Sequence, residues 1–90
     1  MGILNRKSVE FLTRPGCHLC VDAEAAVRRA ARWAWMAVET VDIETDDRLV
    51  AEYGMRIPVV ITGGSVVAEG EIDGPELWRN LVRHRLSRSV

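Results

Sequence analysis

The sequence predicts an α/β domain in which a four-stranded mixed sheet is flanked by helices, with the elements in the order β-α-β-α-β-β-α. Three observations carry that prediction. Two short apolar runs, residues 8–13 and 37–43, enclose an alanine-rich stretch with helical periodicity. A third run, 57–62, is joined to a fourth, 65–69, by Gly63-Gly64, the signature of a tight hairpin. Proline and glycine punctuate the remaining boundaries. A strand–helix–strand unit makes a parallel pair and a hairpin makes an antiparallel one. The sheet is therefore mixed, and helices cover both of its faces.

Each element has its own local reason. Residues 8–13 alternate and then run apolar, as a buried strand does, until Arg14-Pro15-Gly16 stops them. From Cys17 to about Trp35 the chain is rich in alanine and poor in β-branched residues, which favours helix. Cys20, Ala23, Val27, Ala30 and Ala34 recur there at spacings of three and four and form one apolar stripe. Asp22 and Glu24 precede Arg28, Arg29 and Arg32, the charge order the helix dipole prefers. Residues 37–43 alternate with period two. Thr45 or Asp46 caps a short helix through Leu49, Val50 and Tyr53, which Gly54 ends. Pro58 lies at the start of the third strand, where its missing N–H is tolerated. Asp73 is an N-cap and Pro75 sits just inside the last helix, which carries Leu77, Trp78, Leu81, Val82 and Leu86. Phe11 and Tyr53 read as packing residues. Trp33, Trp35 and Trp78 read the same way, as core or half-buried side chains in preference to a binding platform.

Ninety residues make one domain, 1–90, with no room for a second core. The composition, 48% hydrophobic and 28% charged, is that of a soluble globular chain. The net charge of -1 hides basic ends and an acidic middle, read mainly as solvated faces and secondarily as a device for orienting a charged partner. Basic residues are not interleaved with exposed aromatics, so nucleic acid is not an expected partner. No apolar run approaches the ~20 residues that cross a bilayer. The first seven residues hold no secretory h-region, and Arg6 occupies the place where an N-myristoylation site has Ser or Thr. The expectation is a cytoplasmic monomer in a reducing compartment, where structural disulfides are rare.

That setting bears on the two cysteines, Cys17 and Cys20. A staple closing so short a loop stabilises little. The pair follows a strand and opens a helix, the context of a thioredoxin-like redox motif. In the first turn Cys17 lies beside unpaired N–H groups and the positive end of the dipole, which lowers its thiol pKa. Cys20 falls on the apolar stripe and is expected to be buried. Cys17 is then the attacking thiol and Cys20 the resolving one. A metal or iron–sulfur role uses the same spacing, but no second cysteine pair exists to complete the usual zinc site. No cofactor and no metal are expected. His18, between the cysteines, reads as a solvent-facing residue, with thiolate tuning or metal ligation as the alternatives. His84 reads as surface.

Element order, Cys17-x-x-Cys20 and Ile57-Pro58-Val59 together resemble the glutaredoxin branch of the thioredoxin fold over about residues 8–86. The resemblance implies a cis-proline at Pro58 facing the redox pair, with the Ile57 backbone pairing with an extended substrate beside Cys17. It places Arg14 where glutaredoxins often carry a basic residue for the glutathione carboxylate or for the thiol; an exposed loop arginine is the alternative. Asp73 is placed at the amine of glutathione, although helix capping alone explains it. The implied activity is a thiol–disulfide oxidoreductase acting on protein or mixed disulfides, with a potential roughly between −200 and −270 mV. The alternatives are a cluster held by Cys17 of two protomers, or a fold kept for protein interaction. The chain departs from the pattern at His18-Leu19, where an aromatic pair is usual. It departs again at Gly70-Glu71-Ile72-Asp73-Gly74, where Glu71 repels the γ-glutamyl carboxylate. Arg14 and Arg56 supply basic groups, yet glutathione is expected to be a poor partner. The expected donor is thioredoxin reductase or another low-molecular-weight thiol.

Overall fold

A computed structural model describes residues 8–86; the amino-terminal segment on which the leader and lipidation readings rest lies outside them. Strands β1 (Ser8–Thr13), β2 (Ala37–Asp42), β3 (Val59–Thr62) and β4 (Ser65–Glu69) form one sheet in the order β2-β1-β3-β4. β1 and β2 are parallel, with Phe11 opposite Thr40. β1–β3 and β3–β4 are antiparallel, with Phe11 opposite Val60 and Thr62 opposite Ser65. The hairpin turn places Gly63 and Gly64 at φ 58° and 81°, the two positive angles a type I′ turn needs. A bulge between Val60 and Ile61 shifts the register of β4.

Period two divides the strand side chains between two cores. Val9, Phe11 and Val60 face helices α1 (His18–Trp33) and α3 (Gly74–Leu86), which pack there through Cys20, Ala23, Val27, Ala30, Leu77 and Leu81. Leu12 and Val59 face the other side with Ile43, where the short α2 (Asp47–Tyr53) adds Leu49, Val50 and Tyr53. Every residue of the expected α1 stripe is buried. Thr62, the buried polar side chain on the α1 side, donates to the Ser8 carbonyl at 3.0 Å and so leaves no unmet hydrogen bond.

Several boundaries differ from the sequence reading for local reasons. β2 stops at Asp42, whose carboxylate accepts from the Glu44 N–H and turns Ile43–Thr45 into a 3-10 turn. Asp46, not Thr45, caps α2. Gly54 closes α2 at φ −54°, a right-handed conformation, so it is no left-handed cap. Its value is space, because a Cβ there would press on the Val50 carbonyl. β3 starts at Val59, after Ile57-Pro58.

The largest correction concerns the tryptophans. α1 ends at Trp33, Ala34 is its cap, and Trp35 takes φ 60° in a Schellman turn closed by Met36 N–H to the Ala31 carbonyl at 2.8 Å. Trp33 and Trp35 are each 69% exposed and Trp78 is 41% exposed, so none is core. The alanine stripe seats α1 against the sheet and leaves no room for an indole beneath it. His84 is half-buried instead of plain surface, and its Nε2 lies where a Cβ on Gly63 would fall.

Candidate active site

The β1–α1 loop builds the site. Thr13 ends β1, and Gly16 at φ 82° turns the chain so that Cys17 enters α1 with extended backbone, φ −93° and ψ 106°. Cys17 is thereby the N-cap of α1: its Sγ accepts from the Cys20 N–H at 3.1 Å. The two cysteines are joined by a disulfide, with Cα atoms 5.2 Å apart. Cys17 is half-buried, while Cys20 is 2% exposed and belongs to the α1–α3 core. One sulfur is thus presented at the helix tip and the other is held in the interior. His18 and Leu19 between them are exposed.

The Ile57–Pro58 bond is cis. Ile57 packs on the core that holds Cys20 and against which Cys17 also rests, and it reaches the α2-side core as well. Its N–H donates to the Tyr53 carbonyl at 3.1 Å, so only its carbonyl is left for an added strand. Pro58 is buried, and its carbonyl accepts from the Gly70 N–H at 2.8 Å.

The charged candidates are engaged elsewhere. Arg14 donates through Nε to Glu44 at 3.1 Å and extends over Gly54. Arg56, read with Arg14 as a basic group for the carboxylates of glutathione, instead bridges Glu52 on α2 and Glu69 on β4 at 3.1 and 2.8 Å. Its guanidinium stacks over Tyr53 with 4.9 Å to the ring centroid. The hydrogen bond it donates to the Glu69 carboxylate raises its pKa above the ordinary arginine value. Arg56 is legible in the sequence as an i,i+4 partner of Glu52; its clamp on β4, immediately before Ile57, is not. Asp73 caps α3 by accepting from the Glu76 N–H at 3.0 Å. With Glu69, Glu71 and Glu76 it lines a cavity of about 220 Å³ between β4 and α3. Among the described residues no three His, Cys, Asp or Glu side chains converge on a possible metal site.

The site thus has one sulfur at the helix tip, a buried second sulfur and a cis-proline loop packed on the same core. The glutaredoxin-like domain (DUF836) matches residues 8–87. The chain belongs to that family. An uncharacterized protein of Mycobacterium tuberculosis is 29% identical over 85 residues, covering 89% of this chain and 88% of its own. The X-ray structure of a structural-genomics target protein from X. campestris superposes with a TM-score of 0.69 and 30% identity, covering 80% of this chain and 92% of that one. A mutant thioredoxin from Halobacterium salinarum gives a TM-score of 0.65 at 24% identity, over 86% and 73% of the two chains, and shares the fold. The protein is thus a glutaredoxin-like domain with a thioredoxin-like architecture and a Cys17–Cys20 pair at its first helix. No helix among the described residues is long and apolar enough to cross a membrane.

Proposed function

We propose that the protein is a dithiol–disulfide oxidoreductase that reduces protein or mixed disulfides in a reducing, cytoplasmic setting. The observation that carries this reading is the asymmetric pair, with Cys17 capping α1 at its tip and Cys20 buried one turn later. In the reduced protein the Cys17 thiolate attacks one sulfur of a substrate disulfide, forms a mixed disulfide and expels the other sulfur as a thiolate. Cys20 loses its proton and attacks Cys17 Sγ. The second substrate thiolate leaves, and the Cys17–Cys20 disulfide forms. The substrate takes up two electrons and two protons, which a donor returns to the pair.

Ile57 and Pro58 are the wall along which an extended substrate lies, held by the Ile57 carbonyl. The charge pattern favours a protein donor such as thioredoxin reductase, or a low-molecular-weight thiol other than glutathione. Glu71 and Asp73 put two carboxylates at the head of α3, where a γ-glutamyl carboxylate would have to sit. Arg14 contributes to substrate binding only by exchanging Glu44 for a substrate carboxylate.

The test is turnover of a mixed disulfide with NADPH and either thioredoxin reductase or glutathione plus glutathione reductase, with iodoacetamide mapping of the reduced protein. Reduction supported by thioredoxin reductase, with Cys17 alkylated before Cys20, is the expected result. Absence of turnover with both systems, or preferential labelling of Cys20, overturns the reading.

A further inference from the structure

Between α1 and α3, on the side of the helices away from the sheet, lies an apolar groove of about 580 Å³. Ala26, Arg29, Ala30 and Trp33 line it from α1, and Gly74, Pro75 and Trp78 line it from α3. Its Trp33 end lies well away from the redox site, sixteen residues along α1 from Cys17 or about 24 Å at 1.5 Å per residue, while its Gly74-Pro75 end directly follows Asp73. The charge along it is polarised: Asp73 and Glu76 flank Gly74 and Pro75 at one end, whereas residues 25–36 and 77–86, which run to the Trp33 and Trp78 end, contain Arg28, Arg29, Arg32, Arg79, Arg83 and Arg85 and no Asp or Glu. Arg28 is paired with Glu24, Arg83 bonds Asn80, and Arg85 bonds the Ala34 carbonyl. Arg29, Arg32 and Arg79 have no ion pair among the described residues.

We propose that this groove docks an acidic segment of a partner protein, with one bulky apolar side chain seated between Trp33 and Trp78 and carboxylates meeting Arg29, which lines the groove, and Arg79, which follows Trp78. Tryptophan and arginine are the side chains that most often carry interface binding energy, and here they stand exposed together. Concavity selects a side chain over a bilayer, which is met by protruding apolar groups lying in a plane. The unpaired arginines lie on both helices, so the complementary charge belongs to a chain segment that spans them. The groove serves recognition whether or not the protein turns over disulfides.

The experiment is selection of phage-displayed random 12-residue peptides on the full chain, followed by titration of a selected peptide into the isotope-labelled protein. The expected peptides carry Asp and Glu beside an aromatic or leucine anchor. They shift the indole signals of Trp33 and Trp78 and the amides of Ala26 and Arg29, and they bind more weakly at higher salt. Arg29→Glu with Arg79→Glu, and separately Trp33→Ala, each weaken binding by about tenfold or more. These side chains are exposed, and circular dichroism verifies that the variants fold. Selected peptides without acidic enrichment, shifts that map elsewhere, or no selected peptide overturn the proposal. So does binding to phosphatidylserine vesicles that the Arg29→Glu, Arg79→Glu variant abolishes, which makes the face a lipid surface.

Discussion

Cys17 is both the proposed nucleophile and the N-cap of α1, and two substitutions separate those roles. Its backbone is already extended and its Sγ accepts the Cys20 N–H at 3.1 Å. Serine at that position keeps an acceptor and is a preferred cap; alanine keeps none. Loss of a side-chain cap costs about 0.5–2 kcal/mol, commonly ~1. In a domain of this size 1 kcal/mol moves Tm by roughly 4–8 °C. Cys17→Ser is therefore expected to be more stable than Cys17→Ala by about 1 kcal/mol, with no disulfide reduction by either. Neither variant forms the Cys17–Cys20 disulfide, so the difference reports the cap alone. Urea denaturation followed by circular dichroism in reducing buffer measures it. Equal stabilities within a few tenths of a kcal/mol would refute the capping geometry.

Other outcomes follow from the same geometry. Leu81 is fully buried where α3 meets the sheet and α1, so Leu81→Ala should cost about 2–5 kcal/mol in urea denaturation; a loss under about 1 kcal/mol would mean the core is not packed as described. Glutathione titrated into the labelled protein should give no saturable submillimolar amide shifts at Arg14, Ile57 or Asp73, and Glu71→Lys should strengthen whatever binding exists; tight binding by the wild type would contradict the acidic entrance. Arg56→Leu removes the clamp between α2 and β4, so the Gly70 amide that bonds the Pro58 carbonyl should exchange with deuterium several-fold faster. Unchanged exchange would show that the cis-proline loop is held without Arg56.

The sheet, its hairpin and the α1 stripe are legible in the sequence because each is set by a short-range rule. Period two sorts Phe11 and Val60 from Leu12 and Val59, and two glycines supply the positive angles of the turn. Burial of Cys20 follows from its place on the stripe. The tryptophans are not legible in the same way, because hydrophobicity alone does not say which side of a helix has room. Small side chains already fill the contact between α1 and the sheet, and Leu77 and Leu81 fill that of α3. Arg56 and Arg14 escape for a different reason. Glu69 is thirteen residues from Arg56 and Glu44 is thirty from Arg14, so each pairing depends on the tertiary fold. Asp73 as a cap is readable from its position before Gly74-Pro75, and its hydrogen bond to Glu76 agrees.

The central claim is that Cys17 attacks and Cys20 resolves. It is tested most directly by incubating reduced Cys20→Ser and Cys17→Ser proteins with bis(2-hydroxyethyl) disulfide and identifying the adducts by mass spectrometry. The account predicts that Cys20→Ser accumulates a stable mixed disulfide on Cys17, whereas Cys17→Ser remains unmodified at its buried Cys20. The reduced wild type ends as the Cys17–Cys20 disulfide with two equivalents of mercaptoethanol released. Equal or faster modification of Cys20, or no adduct on either cysteine, would contradict it.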